Sequence, residues 1–206
     1  MDVGERLTDQ NFPESPEKAT LEGKNKFLGF WLFLGGETVL FATLFGTYLG
    51  LRNSFGKGPE ASEIFQLPMV FAATIILLTS SLTSVYAVLA LKENKVKQMR
   101  RWLFITLLLG LSFLGLEIYE FIHYVHEGHT FTSGAFGSAF YTLVGFHGGH
   151  VLFGCLWITV LLIRNSGRGL TLYNAPKYYL FALYWHFVDV VWVFIFTVVY
   201  LMGKVG

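Results

Sequence analysis

Apolar residues gather in five long stretches of this chain, 27–51, 68–91, 102–122, 137–163 and 178–203, with short polar segments between them. The stretches hold 25, 24, 21, 27 and 26 residues. Each is at or above the roughly 20 residues that a helix needs to cross the hydrocarbon core of a bilayer. A surface helix of a soluble protein carries a polar stripe toward water, and none of the five does. A soluble bundle would have to hide five helices that are apolar all round, which 206 residues cannot do. The pattern therefore predicts an all-α fold, an integral membrane bundle of five transmembrane helices.

The polar positions set the rest of the organisation. Residues 1–26 read as a polar, acidic tail. It shows no short apolar core or small-residue cleavage site, so no signal peptide is expected. The first helix is expected to begin at Phe27. Arg52 to Leu67, with Gly56, Gly58 and Pro59, reads as a loop, and Pro68 suits a helix start, where its missing N–H is harmless. The connection 123–136 holds His123, His126 and His129, and 164–177 is a further loop. Short connections predict that sequential helices neighbour one another. There is no internal repeat, and no pair of interrupted helices of the kind found in alternating-access transporters. Residues 27–206 read as one compact domain. Gly46 with Gly50 and Gly145 with Gly149 predict close helix approaches. Thr79, Ser80, Ser81, Thr83 and Ser84 can bond neighbours or their own helix. Trp31 and Trp102 suit the membrane interface.

Charge adds an orientation. Twelve Lys and Arg fall in 1–26, 92–101 and 164–177, against three in 52–67, 123–136 and 204–206. That asymmetry predicts a cytoplasmic N-terminus and an outside C-terminus in the cell membrane. The run Lys92, Lys95, Lys97, Arg100 and Arg101 reads as this topology signal. With a formal net charge of +1, no nucleic-acid partner is expected. The single cysteine, Cys155, lies inside the fourth stretch and reads as a small core residue, excluding an intrachain disulfide and a thiolate metal site.

Within the apolar stretches stand seven ionisable groups: Glu37, Glu117, Glu120, His147, His150, His186 and Asp189. In hydrocarbon each is expensive unless it faces protein or water, so each is a candidate functional residue. Six of the seven form pairs three residues apart, on one helix face. Depth along ideal helices predicts two layers, Glu37 with His186 and Asp189, and Glu117 with His147, with His150 between them. Three uses compete. Paired Glu and His could form a metal site, although the Glu-x-x-His spacing of di-iron bundles is missing. Two histidines could bracket a haem. Or the groups bond one another to lock the bundle, or line a polar interior beside a proton-handling partner. In that favoured reading His186 satisfies Asp189, and Glu37 needs a partner on another helix. Gly35 and Gly36 predict close packing beside Glu37. No nucleophile triad, phosphate-cradling loop or redox cysteine pair is visible. No catalytic, cofactor-binding or metal-ligating residue is expected on this chain, which points to a subunit.

Three segments carry a resemblance: Gly29-Phe30-Trp31-Leu32-Phe33-Leu34-Gly35-Gly36-Glu37, Phe146-His147-Gly148-Gly149-His150-Val151 and Tyr184-Trp185-His186-Phe187-Val188-Asp189-Val190-Val191-Trp192. They resemble the signature segments of subunit III of haem–copper terminal oxidases, in the right order and on the right helices. Glu117-Ile118-Tyr119-Glu120 is similar to that family's glutamate-bearing segment. The wording is closest to subunit III of Gram-positive caa3-type cytochrome c oxidases. The resemblance implies a non-redox subunit of a proton-pumping respiratory oxidase, packed on catalytic subunit I with the other oxidase subunits. Haem and copper are expected on those partners, and phospholipid against this one. Glu37 matches the family's buried carbodiimide-reactive glutamate, and His147, His150, His186 and Asp189 match bundle-stabilising positions. The implied role is support of proton uptake and of lipid and oxygen access. Longer members have seven helices and this chain matches the last five, so one wall of the family's lipid cleft would come from another polypeptide. A quinol-oxidising complex of the same superfamily, or a free-standing channel or metal-binding membrane protein, are the alternatives.

Overall fold

A computed structural model of the chain describes residues 7, 13, 15, 16, 18–54, 66–164 and 169–205. The elements among them are α1 (Leu21–Leu51), α2 (Leu67–Lys92), α3 (Val96–His126), α4 (Ala135–Arg164), α5 (Ala175–Ile195), a π-helical turn (Phe196–Leu201) and α6 (Met202–Val205). Counting α5 to Lys204 as one span, five helices are long and apolar enough to cross a membrane. The expected loop residues Gly56, Gly58 and Pro59, and half of the tail, lie outside the described residues. The tail's Leu7 is buried, and its N–H donates to the Leu170 carbonyl at 2.8 Å, docking that point on the α4–α5 connection.

Hydropathy locates the membrane crossing, but capping decides where a helix ends. α1 therefore starts six residues earlier than its apolar stretch. Thr20 has extended backbone, its hydroxyl accepts from the Gly23 N–H at 3.0 Å, and Lys26 pairs with Glu22 at 2.5 Å across one turn. α3 likewise runs past both ends of its apolar stretch, so His123 and His126 sit in its last turn and not in the connection. Pro176 opens α5, where a helix tolerates it. The end of that span departs from the expected continuous helix. The π turn widens the coil and carries Tyr200 into the core, fully buried.

α5 lies centrally, packed against α1, α2 and α4, while α2 packs on α3 and α3 on α4. α1 breaks the expected rule of sequential neighbours, because its main contacts are with α4 and α5 and not with α2. The reason is a narrow seam. Leu34, Phe41 and Tyr48 recur every seventh residue and are the buried large side chains of α1. Phe41 meets Phe187 of α5 at 6.3 Å between ring centres, and Tyr48 meets Phe136 of α4 at 6.0 Å. Glu37 falls on this same stripe, one turn from both Leu34 and Phe41.

The tightest approaches are not at the expected glycines. Among the described residues, a Cβ added at Gly35, Gly36, Gly46, Gly50 or Gly149 would meet nothing within 4 Å, and at Gly145 only Phe121 at 3.9 Å. These positions face away from the seams. Close packing is found instead at Gly110 and Gly154, where a Cβ would stand 2.7 and 2.6 Å from the Trp185 ring. Trp185 thus fills the space between α3 and α4, and its Nε1–H donates to Ser80 of α2 at 2.9 Å. Seven residues on, Trp192 Nε1–H donates to Thr74 at 3.0 Å. The hydroxyl-rich α2 bonds its neighbours as expected: Thr83 lies 2.8 Å from Thr106 and Ser81 lies 2.7 Å from His186. Cys155 is a buried core residue.

Candidate functional site

Glu37 meets α4. Its Oε2 stands 3.1 Å from His150 Nε2, and the two side chains are 18% and 15% exposed. The other ring nitrogen, Nδ1, lies 2.8 Å from the Phe146 carbonyl. A carbonyl can only accept, so Nδ1 carries a hydrogen. Nε2 is then either an acceptor facing a protonated Glu37 or the second donor of an imidazolium facing a carboxylate. In both forms one proton lies between the two residues. Phe41 packs on the imidazole at 5.0 Å, and the Tyr184 hydroxyl donates to the His150 carbonyl at 2.9 Å, holding α5 to this turn. His150 also borders a groove of about 430 Å³ with Phe33, Gly149, Phe153 and Tyr184. The pair is therefore sheltered by the bundle and reachable from this groove.

The expected layering grouped Glu37 with His186 and Asp189 and set His150 between the layers; the structure gives Glu37 His150 as its partner. Measured from the observed helix ends, Glu37 and His150 lie about 24 and 21 Å from the Leu21 and Arg164 ends respectively, less than one turn apart. By the same measure Asp189 lies about 21 Å from the Ala175 end, so depth does not separate it from His150, and the α1–α4 contact makes the choice of partner. The need of Glu37 for an interhelical partner is met. The expected His186–Asp189 pairing is not: His186 Nδ1 turns to Ser81 Oγ on α2. The Oδ1 of Asp189 is buried without a hydrogen-bond partner among the described residues.

The remaining groups sit deeper. Glu120 is buried and accepts from two phenols, Tyr124 one turn along and Tyr200 at 3.3 Å from the π turn. Glu117 is 5% exposed, and neither carboxyl oxygen has a hydrogen-bond partner among the described residues. It lies over bare backbone, so that a Cβ on Gly148 would be 2.7 Å from both oxygens. His147 is fully buried, its ring stacked on Trp192 at 5.2 Å and edge-on to Phe113 at 5.9 Å, with neither nitrogen bonded among the described residues. Glu117 and His147 thus face the same α3–α4 contact, as their depth predicted, without bonding each other. Among the described residues no three His, Cys, Asp or Glu side chains come together to hold a metal ion.

Sequence reasoning did not name Tyr124, Tyr184 or Tyr200 as partners. Tyr124 is legible as the i+4 neighbour of Glu120. Tyr184 and Tyr200 reach across helices, and Tyr200 does so only because of the π turn.

Comparison with known proteins converges on one family. A family model described as cytochrome c oxidase subunit III matches residues 17–204. A cytochrome c oxidase subunit 3 of Bacillus sp. (strain PS3) is 68% identical, covering 100% of both chains. Its counterpart in Bacillus subtilis (strain 168) is 67% identical over the same full lengths. The quinol oxidase subunit 3 of that organism is 49% identical, over 89% of this chain and 90% of its own. Five membrane-spanning helices agree with such a subunit. The chain belongs to the cytochrome c oxidase subunit III family.

Proposed function

We propose that this chain is the non-redox subunit III of a proton-pumping haem–copper oxidase that takes electrons from cytochrome c in a bacterial plasma membrane. One observation carries the choice of donor. Identity is 68% and 67% over the full length to relatives named for cytochrome c oxidase, and 49% over 89% of this chain to one named for quinol oxidase. In this reading the haem and copper belong to partner subunits, and the chain contributes no catalytic group. Glu120, through Tyr124 and Tyr200, and His186, through Ser81, fasten the bundle by hydrogen bonds, while Glu117, His147 and Asp189 fill its interior. Glu37 does more, because it shares one proton with His150 at 3.1 Å beside a lipid-facing groove. That arrangement supports a role in proton uptake next to catalytic subunit I, with phospholipid and oxygen passing along the same face. The N-terminus faces the cytoplasm, in keeping with the distribution of Lys and Arg.

The test is a mild-detergent pull-down through a tag on this chain. Co-purification of a haem–copper subunit whose oxygen consumption is driven by reduced cytochrome c, and not by quinol, is the expected result. Recovery of the chain alone, or of a quinol-driven complex, overturns the proposal.

A further inference from the structure

The turn between α2 and α3 carries a second groove, of about 750 Å³, remote from Glu37. Its lining includes Lys95, Lys97, Gln98, Arg101, Trp102 and Ile105. The order of these residues down the helix is chemically graded. Lys97, Gln98 and Arg101 form an exposed cationic rim on the first turns of α3. Below them Trp102 is steadied by Tyr86, with ring centres 5.0 Å apart, and Ile105 is exposed. From Lys97 to Ile105 the helix descends about 12 Å, the distance from headgroup level to the upper acyl chains. Lys95 is engaged by Glu93 at 2.7 Å. Lys97 and Arg101 enter no ion pair among the described residues. Two exposed cations above an aromatic and an aliphatic side chain complement one kind of molecule, an anionic amphiphile lying parallel to the helix.

We propose that this groove binds one anionic phospholipid, its phosphate against Lys97, Gln98 and Arg101 and an acyl chain along Trp102 and Ile105. The site lies on the α2–α3 face, apart from the α1–α4 groove. It goes beyond the proposed function, since it gives one stretch of the basic run a specific ligand in addition to its part in setting topology. Cations at a membrane surface attract anionic lipid by about fivefold each, so removing both should weaken binding roughly thirtyfold.

The experiment uses the purified oxidase complex, delipidated and titrated with phosphatidylglycerol or phosphatidylcholine, with bound lipid counted by native mass spectrometry. Expected is one tight phosphatidylglycerol, no phosphatidylcholine at that site, and roughly thirtyfold weaker binding in a Lys97→Gln/Arg101→Gln variant. A Lys97→Arg/Arg101→Lys variant should retain the lipid, and Arg164→Gln should leave it unchanged. Equal phosphatidylglycerol binding by the wild type and the Lys97→Gln/Arg101→Gln variant overturns the proposal, as does equal affinity for both lipids. Recovery of the variants in assembled complex is scored in the same spectra, so a failure of assembly is separated from a failure of lipid binding.

Discussion

Replacing Gly148 by alanine puts the packing account under direct strain. The added Cβ would lie 2.7 Å from both carboxyl oxygens of Glu117 and 2.9 Å from its Cδ. Ordinary carbon–oxygen contact begins near 3.4 Å, so the carboxyl must retreat by about 0.7 Å. Phe113, one turn before it on α3, is fully buried, and Glu117 itself is 5% exposed, which leaves little room to move. Insertion of a methyl into so closed a site costs about 1–3 kcal/mol. Because the carboxyl has no hydrogen bond to lose, sterics supply the whole effect. The expected consequence is a midpoint lower by roughly 2–12 °C for a chain of this length, read by heating the purified complex and following it by size exclusion. Glu117→Asp withdraws the carboxyl by about 1.5 Å, more than the overlap, so it should absorb the methyl. The double variant should then be more stable than the sum of the singles by about 1 kcal/mol or more. If Gly148→Ala is as damaging beside Glu117→Asp as beside the native glutamate, the carboxyl-on-glycine contact is not what limits the site.

Other outcomes follow from the same geometry. Tyr200→Phe removes one of two donors to the buried Glu120 and should destabilise the complex by about 1–3 kcal/mol, an effect largely lost when Glu120→Leu is already present. His129, in the connection between α3 and α4, is fully buried among Tyr124, Phe136, Phe140 and Tyr141, and burial lowers its pKa. The folded protein then holds this residue neutral while the unfolded chain takes up a proton near the ordinary value of about 6.5. Stability should therefore fall as pH drops through that value and level off below the depressed folded pKa. His129→Gln should flatten this part of the slope between about pH 7.5 and about pH 5.5, and an unchanged slope would contradict the assignment.

The five crossings and the seven intramembrane groups were legible from hydropathy alone, because in hydrocarbon the exceptions to apolarity are few. Partner choice was not. On helices apolar all round, nothing in the hydrophobic pattern says which face turns inward, so depth was the remaining guide, and depth does not choose between groups at one level such as His150 and Asp189. The stripe Leu34, Glu37, Phe41 and Tyr48 is visible in the sequence at heptad spacing and orients Glu37 toward a neighbour, yet it does not say that the neighbour is α4. The small-residue pairs on α1 misled for a related reason. Spacing marks a face that permits close approach, and among the described residues nothing approaches Gly46 or Gly50. The π turn that delivers Tyr200 to Glu120 has no marker in Phe196–Leu201, which reads as ordinary apolar helix.

The central claim is that the contact of Glu37 with His150, rather than the remaining buried ionisable groups, serves the oxidase. It is tested most directly by protons released per electron, and by the persistence of turnover, in vesicles holding the Glu37→Gln complex. Glutamine keeps the size and can still donate to His150 Nε2, so assembly should match the wild type while proton release or sustained turnover declines. Unchanged proton release and unchanged turnover lifetime in a fully assembled Glu37→Gln complex would contradict it.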